Sequence, residues 1–165
     1  MNKDEINQNI ESRIANLKDD EVIAFIDGSS KLIDKCTSIY AYGLILKTKK
    51  EQNAFSEVFD DSLTIYRNVA GEIRAAVKAI EWAIKNNKRK LILFFDYLGI
   101  QKWITKEWDA KNELTKSYVK EVTQRLNLID IEFIHVKSHS GIKYHNQADK
   151  LAKKALQKHI LEHAR

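Results

Sequence analysis

Two short apolar runs, Val22 to Ile26 and Leu91 to Phe95, each break off at an aspartate, Asp27 and Asp96. Five consecutive apolar residues are too few for a helix here and too uniform for a strand with one wet face, so each run reads as a buried strand. Strands of that kind occur in sheets covered on both faces. The period changes between them: Val69, Ile73, Val77, Ile80 and Ile84 repeat every three or four residues, with Arg74, Lys78, Glu81 and Lys85 interspersed, which predicts a strongly amphipathic helix. Tyr40 to Leu46 and roughly residues 51–59 form two β-like segments around Lys47-Thr48-Lys49-Lys50, a polar hairpin turn. The cluster Asp27-Gly28-Ser29-Ser30 reads as a turn ending the first strand.

Ile131 to Val136 is a last strand-like segment. Helical stretches containing Ile100, Trp103 and Ile104, then Tyr118, Val122 and Leu126, precede it, and a basic helix from about Tyr144 to His163 follows, with Ala148, Leu151, Ala152, Ala155 and Leu156 as its apolar stripe. The order predicts an α/β domain on a five-stranded mixed sheet, three antiparallel strands then parallel ones, flanked by helices.

The chain has 165 residues, no proline, no internal repeat and no Gly/Ser-rich linker, so one domain over 21–165 is expected. Ile6, Ile10, Ile14 and Leu17 give the preceding segment, 1–20, one apolar stripe, which marks a short amphipathic extension. No apolar run approaches the roughly 18 residues of a membrane span, and the N-terminus has no apolar secretory core, so a cytoplasmic protein is expected. Nothing points to an obligate protein partner, and a monomer is expected. The single cysteine, Cys36, rules out an internal disulfide and a Cys-based zinc site; it is expected to be a buried or half-buried small residue. The net charge of +5 is unevenly placed, with 11 basic against 14 acidic residues in 1–84 and 17 against 9 in 85–165. A basic half suits phosphate binding, and equally a solvated basic face.

Ligands gather outside the carboxyl ends of parallel strands, where Asp27 and Asp96 would stand close together. Either could also be a plain turn former or helix cap. Glu72, in the first turn of the amphipathic helix, fits the helix dipole, yet borders core-facing Ile73 and can point to the sheet edge. Asp149 borders the apolar stripe of the last helix, where a solvated surface charge is the plain alternative. Four clustered carboxylates repel one another unless cations bind, and oxygen donors of this kind suit Mg²⁺ or Mn²⁺. Two such ions can activate water on one side of a phosphodiester and stabilise the leaving oxygen on the other.

Asp27-Gly28-Ser29, Arg67-Asn68-Val69-Ala70-Gly71-Glu72, Phe95-Asp96-Tyr97-Leu98-Gly99-Ile100, and Val136-Lys137-Ser138-His139-Ser140-Gly141 followed by Ala148-Asp149-Lys150-Leu151-Ala152 together resemble the type 1 ribonuclease H family. The resemblance spans about residues 21–156, in the family's order, and points to its bacterial subgroup. It implies a ribonuclease H-like fold and a nuclease that cuts the RNA strand of RNA–DNA hybrids. Two Mg²⁺ ions, with Mn²⁺ as an acceptable substitute, would serve the reaction and leave 3′-hydroxyl and 5′-phosphate ends. By motif, Asp27, Glu72, Asp96 and Asp149 are the metal-binding carboxylates. His139 matches the histidine that assists proton movement or product release, whereas His135 has no such match and reads as structural.

A hybrid near A-form exposes RNA 2′-hydroxyls in its wide minor groove, so little sequence preference is expected. The resemblance places Asn68 and backbone groups of Gly28 and Ser29 on the RNA strand; Asn68 as a simple helix N-cap is the alternative. Trp108, Thr115 and Lys116 are candidates for the DNA strand, while Trp103, in register with Ile100 and Ile104, reads as core. The family pattern is broken at Tyr144-His145-Asn146-Gln147, where many relatives carry Asn-Glu. Asn146 replaces the usual acid, and His145, one helical turn before Asp149, is expected to face the same side and support the metal ligands. Only residues 1–20 precede the motifs, so no N-terminal hybrid-binding module is expected. Two alternatives are a silent nucleic-acid-binding domain, disfavoured by the presence of all four acids, and a transposase, integrase or 3′-exonuclease of the same broad fold, disfavoured by the His139 to Ala152 segment.

Overall fold

The computed structural model describes residues 2–163; Met1, Ala164 and Arg165, which fall in the expected 1–20 and 21–165 segments, lie outside the described residues. The chain runs α1 (Lys3–Ala15), β1 (Glu21–Leu32), β2 (Ser38–Lys47), β3 (Gln52–Phe59), a 3-10 turn (Ser62–Tyr66), α2 (Asn68–Lys85), β4 (Lys90–Phe95), α3 (Gly99–Lys102), α4 (Glu113–Thr123), β5 (Asp130–His135) and α5 (Lys143–His163). The five strands lie in the order β3-β2-β1-β4-β5. β1 pairs antiparallel with β2 and parallel with β4, β2 pairs antiparallel with β3, and β4 pairs parallel with β5. This is the mixed sheet expected from the alternation of apolar runs and amphipathic helix.

Strand alternation divides the core. Val22, Ala24 and Ile26 of β1 point to the face packed by Ala75, Ala76, Ala79, Ile80 and Ala83 of α2. Ile23 and Phe25 point the other way, onto Ile10, Ile14 and Leu17 and onto Tyr144 and Ala148 of α5. The alanine stripe of α2 is what lets a long helix lie close to the sheet.

β1 is longer than its apolar run. Asp27-Gly28-Ser29-Ser30, expected to be a turn, lies inside the strand: Asp27 pairs with Gly43, Gly28 with Tyr42, Ser29 with Ala41 and Ser30 with Tyr40. The antiparallel partner β2 overrides the local turn preference, and the chain reverses only after Leu32. Pairing with β4, by contrast, ends at Phe25 opposite Phe94. Cys36 sits in the loop beyond and is exposed, not buried as expected, because that loop projects past the sheet's covered region.

The apolar stripe of the first segment is covered by the same domain, with Ile10, Ile14 and Leu17 all buried. Arg13 donates to both Glu132 oxygens on β5, at 2.9 and 2.5 Å. Asn7 brackets the turn before α5, donating to the Gly141 carbonyl (3.0 Å) and accepting from the Lys143 amide (2.9 Å). The Tyr144 hydroxyl bonds Glu11. Each buried aliphatic side chain is worth about 1.5–3 kcal/mol, offset by the entropy of ordering the helix. Deletion of residues 1–18 is therefore expected to lower the melting temperature by about 10 °C; an unchanged calorimetric transition would show that α1 contributes nothing to folding.

Candidate active site

Asp27 and Phe25 share one parity along β1, and Asp96 continues that of Phe94, so both carboxylates emerge on the face occupied by α5, at the point where β1 parts from β4. α5 reaches them because Gly43, paired with Asp27, has no side chain: a Cβ there would lie 1.8 Å from the Ala148 carbonyl oxygen. On the opposite face Gly28 admits the first turn of α2, since its Cβ would meet the Asn68 carbonyl oxygen at 2.0 Å and the Glu72 nitrogen at 2.6 Å. Two close backbone approaches, one on each face of the sheet, thus deliver residues from both helices to the stretch of β1 that leaves β4.

The structure brings Asp27, Asp96 and His145 together, with one ligand atom from each within 4.8 Å of the others. His145 Nε2 is 3.3 Å from Asp96 Oδ2 and 3.7 Å from Asp27 Oδ2. Glu72 is buried beneath them, and its Oε1 accepts from the Asp96 amide at 3.1 Å. Asp149 sits at the rim, with Oδ2 paired to Lys153 Nζ at 3.0 Å. The four acids come from β1, α2, the end of β4 and α5, so no local segment could assemble them.

Electrostatics register the crowding. Burial first, then the charges of Asp96 and Asp149, push the Asp27 carboxyl up to about 7 against the opposing pull of His145 and the Gly28 amide. Glu72 is held well above the usual carboxylate range by burial and by the neighbouring Asp96 charge. Burial alone would lower the His145 imidazole, but its hydrogen bond to Asp96 and the charges of Asp27, Asp96 and Asp149 outweigh that, and the net shift is upward. Converging carboxylates that resist ionisation together form a site that a divalent cation would relieve, and their hard oxygen donors match Mg²⁺ or Mn²⁺.

The other expected residues are spread around this centre. His139 is exposed, at φ 59, in the loop before α5, with no hydrogen bond or ion pair to the acids among the described residues. Asn68 is the exposed first residue of α2; the N-cap alternative fails, because Arg67 holds that position at φ 56 and no side chain caps the helix. Gly28 and Ser29 offer strand backbone in place of the expected turn. Trp108 is 38% exposed, with its ring held edge-on to Trp103 and Tyr97 at 5.9 and 6.1 Å, and Trp103 is core as expected. Lys116 is exposed, whereas Thr115 is buried and its hydroxyl is engaged with Asn112 in the capping box of α4. Asn146 is exposed on the first turn of α5.

Sequence reasoning missed His135 as a support for the site. Its Nε2 donates to the Asp96 carbonyl at 2.8 Å and so helps fix the backbone that carries the carboxylate. Only the parallel register, with Phe95 opposite His135, reveals this.

A mixed five-stranded sheet with acids converging where its central strand parts from β4 marks the chain as a nuclease-type enzyme with a candidate cation site. The RNase H family profile matches residues 19–157. The chain belongs to the ribonuclease H family. It is 29% identical to Ribonuclease H of Clostridium botulinum over 149 residues, 82% of this chain and 95% of that protein. It is 36% identical to Ribonuclease H1 of Homo sapiens over 99 residues, 52% of this chain but only 34% of the human protein's length. The crystal structure of LC11-RNase H1 in complex with RNA/DNA hybrid shares the fold with a TM-score of 0.65, at 15% identity, covering 84% of this chain and 99% of that one.

Proposed function

We propose that the protein is a metal-dependent endonuclease that hydrolyses the RNA strand of RNA–DNA hybrids, acting as a cytoplasmic monomer with little sequence preference. The observation that carries this reading is the convergence of Asp27 and Asp96 on one face, over buried Glu72, in a chain of the ribonuclease H family. A relative of the same fold has been crystallised with an RNA/DNA hybrid, which supports the choice of substrate.

In this reading Asp27 and Asp96 hold the cations, Asp149 supplies a further carboxylate from the rim, and Glu72 positions Asp96 through its amide. Two Mg²⁺ ions, or Mn²⁺ in their place, would supply an activated water and neutralise charge on the scissile phosphate. Water attacks phosphorus, the bond to the 3′-oxygen breaks, and that oxygen takes a proton, leaving 3′-hydroxyl and 5′-phosphate ends. His139, exposed to solvent in the loop before α5, suits the transfer of a proton to or from the departing strand. Asn68 and the Gly28 and Ser29 backbone would contact the RNA sugars, whose 2′-hydroxyls distinguish RNA from DNA. Trp108 presents a pinned aromatic face and Lys116 a charge to the DNA strand. Thr115 would help indirectly, by ordering the start of α4.

The test is cleavage of an end-labelled hybrid in Mg²⁺, beside single-stranded RNA, double-stranded RNA and double-stranded DNA. Only the hybrid's RNA is expected to be cut, with no cutting in chelator or in Asp96→Asn. A hybrid that binds but stays intact in both Mg²⁺ and Mn²⁺ would overturn the reading.

A further inference from the structure

We propose that His145 is a direct nitrogen ligand, forming with Asp27 and Asp96 a mixed imidazole–carboxylate site that favours Mn²⁺ and similar transition ions over Mg²⁺. The inference rests on Asp27 and Asp96 being cation ligands and adds a donor of a different chemical kind. Three observations carry it. The imidazole is in place: Nε2 stands 3.3 Å from one carboxylate and 3.7 Å from the other, and the three ligand atoms fall within 4.8 Å of one another. The ring is committed to this position, since its side chain is 5% exposed on the first turn of a 21-residue helix packed on the sheet. Finally, the ring's hydrogen bond runs into the site itself, between Nε2 and Asp96. Nδ1 is buried and has no hydrogen-bond partner among the described residues, so the polar groups that address this ring are the two carboxylates.

A structural histidine buried to this degree is ordinarily satisfied at both nitrogens. This one is addressed only by the acids, so Nε2 is aimed at what those acids bind and Nδ1 is left to carry the ring proton. Sequence spacing had placed His145 as support behind the metal ligands; the structure sets it level with them. Mg²⁺ prefers oxygen in a near-ideal octahedron and retains its waters, whereas imidazole is a good donor for first-row transition ions. Replacing one oxygen-lined approach by a fixed imidazole therefore raises affinity for Mn²⁺ more than for Mg²⁺.

The readout is ligation in substrate-free, tag-free protein. Mn²⁺ is added below stoichiometry and pulsed EPR is recorded on wild type, His145→Asn and Asp27→Asn, with affinities for Mn²⁺ and Mg²⁺ measured by calorimetry. The expected result is a ¹⁴N coupling of a directly bound imidazole in wild type, absent in His145→Asn although Mn²⁺ still binds. The Mn²⁺ over Mg²⁺ preference should fall about 10-fold or more in His145→Asn. Mn²⁺ that binds and is lost in Asp27→Asn, yet shows no ¹⁴N coupling in wild type, would overturn the histidine assignment and leave the carboxylate site standing. Failure of either ion to bind wild type would overturn both. An unchanged ¹⁴N signal in His145→Asn would assign the nitrogen to another residue and likewise reject the proposal.

Discussion

Asp27→Asn is expected to lower cleavage of a hybrid by about 10³-fold or more while making the cation-free protein more stable. The loss follows from the proposed role of Asp27 as a cation ligand, whose charge a bound cation would require. The gain follows from the same charge when no cation is present. Asp27 is buried beside Asp96 and Asp149, and its carboxyl is pushed up to about 7 in the folded chain, against about 3.9 for an unfolded aspartate. The folded state thus holds the proton more tightly, so wild-type stability falls as pH rises from near 4 through about 7 and stays low above it. Asparagine removes that slope. The variant's advantage should be small at pH 4.5 and largest at pH 8, where about 5 °C or more in melting temperature is expected in chelator. Thermal melts of both proteins across this range check it, and a variant that melts lower at pH 8 would mean that the attraction of His145 for Asp27 outweighs burial and repulsion.

Gly43→Ala should be the most damaging single-methyl change in the sheet. The added Cβ would lie 1.8 Å from the Ala148 carbonyl oxygen and 2.7 Å from its carbon. Neither is the end of a flexible side chain, so the helix has to lift away from β2. Overpacking of ordinary cores costs about 1–3 kcal/mol, and backbone against backbone leaves less room to adjust, so a loss at or above the upper end is expected in denaturant titration. Lifting α5 also withdraws Asp149 and His145 from Asp27. A displacement of about 1 Å at a reacting centre can cost about 10²-fold in rate, so activity should fall further than the folded fraction does. Equal losses of stability and activity would show that α5 keeps its place relative to Asp27.

Much of this arrangement was legible in the chain. The two apolar runs ending at Asp27 and Asp96 located the parallel strand ends, and the period of Val69 to Ile84 located the helix carrying Glu72, because burial on both faces and on one face leave different patterns. The four-residue spacing of His145 and Asp149 placed both on one side of α5. What escaped depended on partners distant in sequence. Asp27-Gly28-Ser29-Ser30 has every local mark of a turn, and only pairing with β2 keeps it extended. His135 could be connected to Asp96 only through the register of β5 on β4.

The ties between α1 and the last third of the chain impose an order on synthesis. α1 finds its polar partners in Glu132, Gly141, Lys143 and Tyr144, 119 to 136 positions later, and Asp149 and His145 arrive with the same late segment. A nascent chain emerging at about 5–20 residues per second therefore carries α1 without these polar ties, and an incomplete set of acids, until α5 leaves the ribosome. The set of acids is therefore completed late; the step that gives α1 its polar ties also brings Asp149 and His145 to Asp27, so a chain cut short before α5 lacks both.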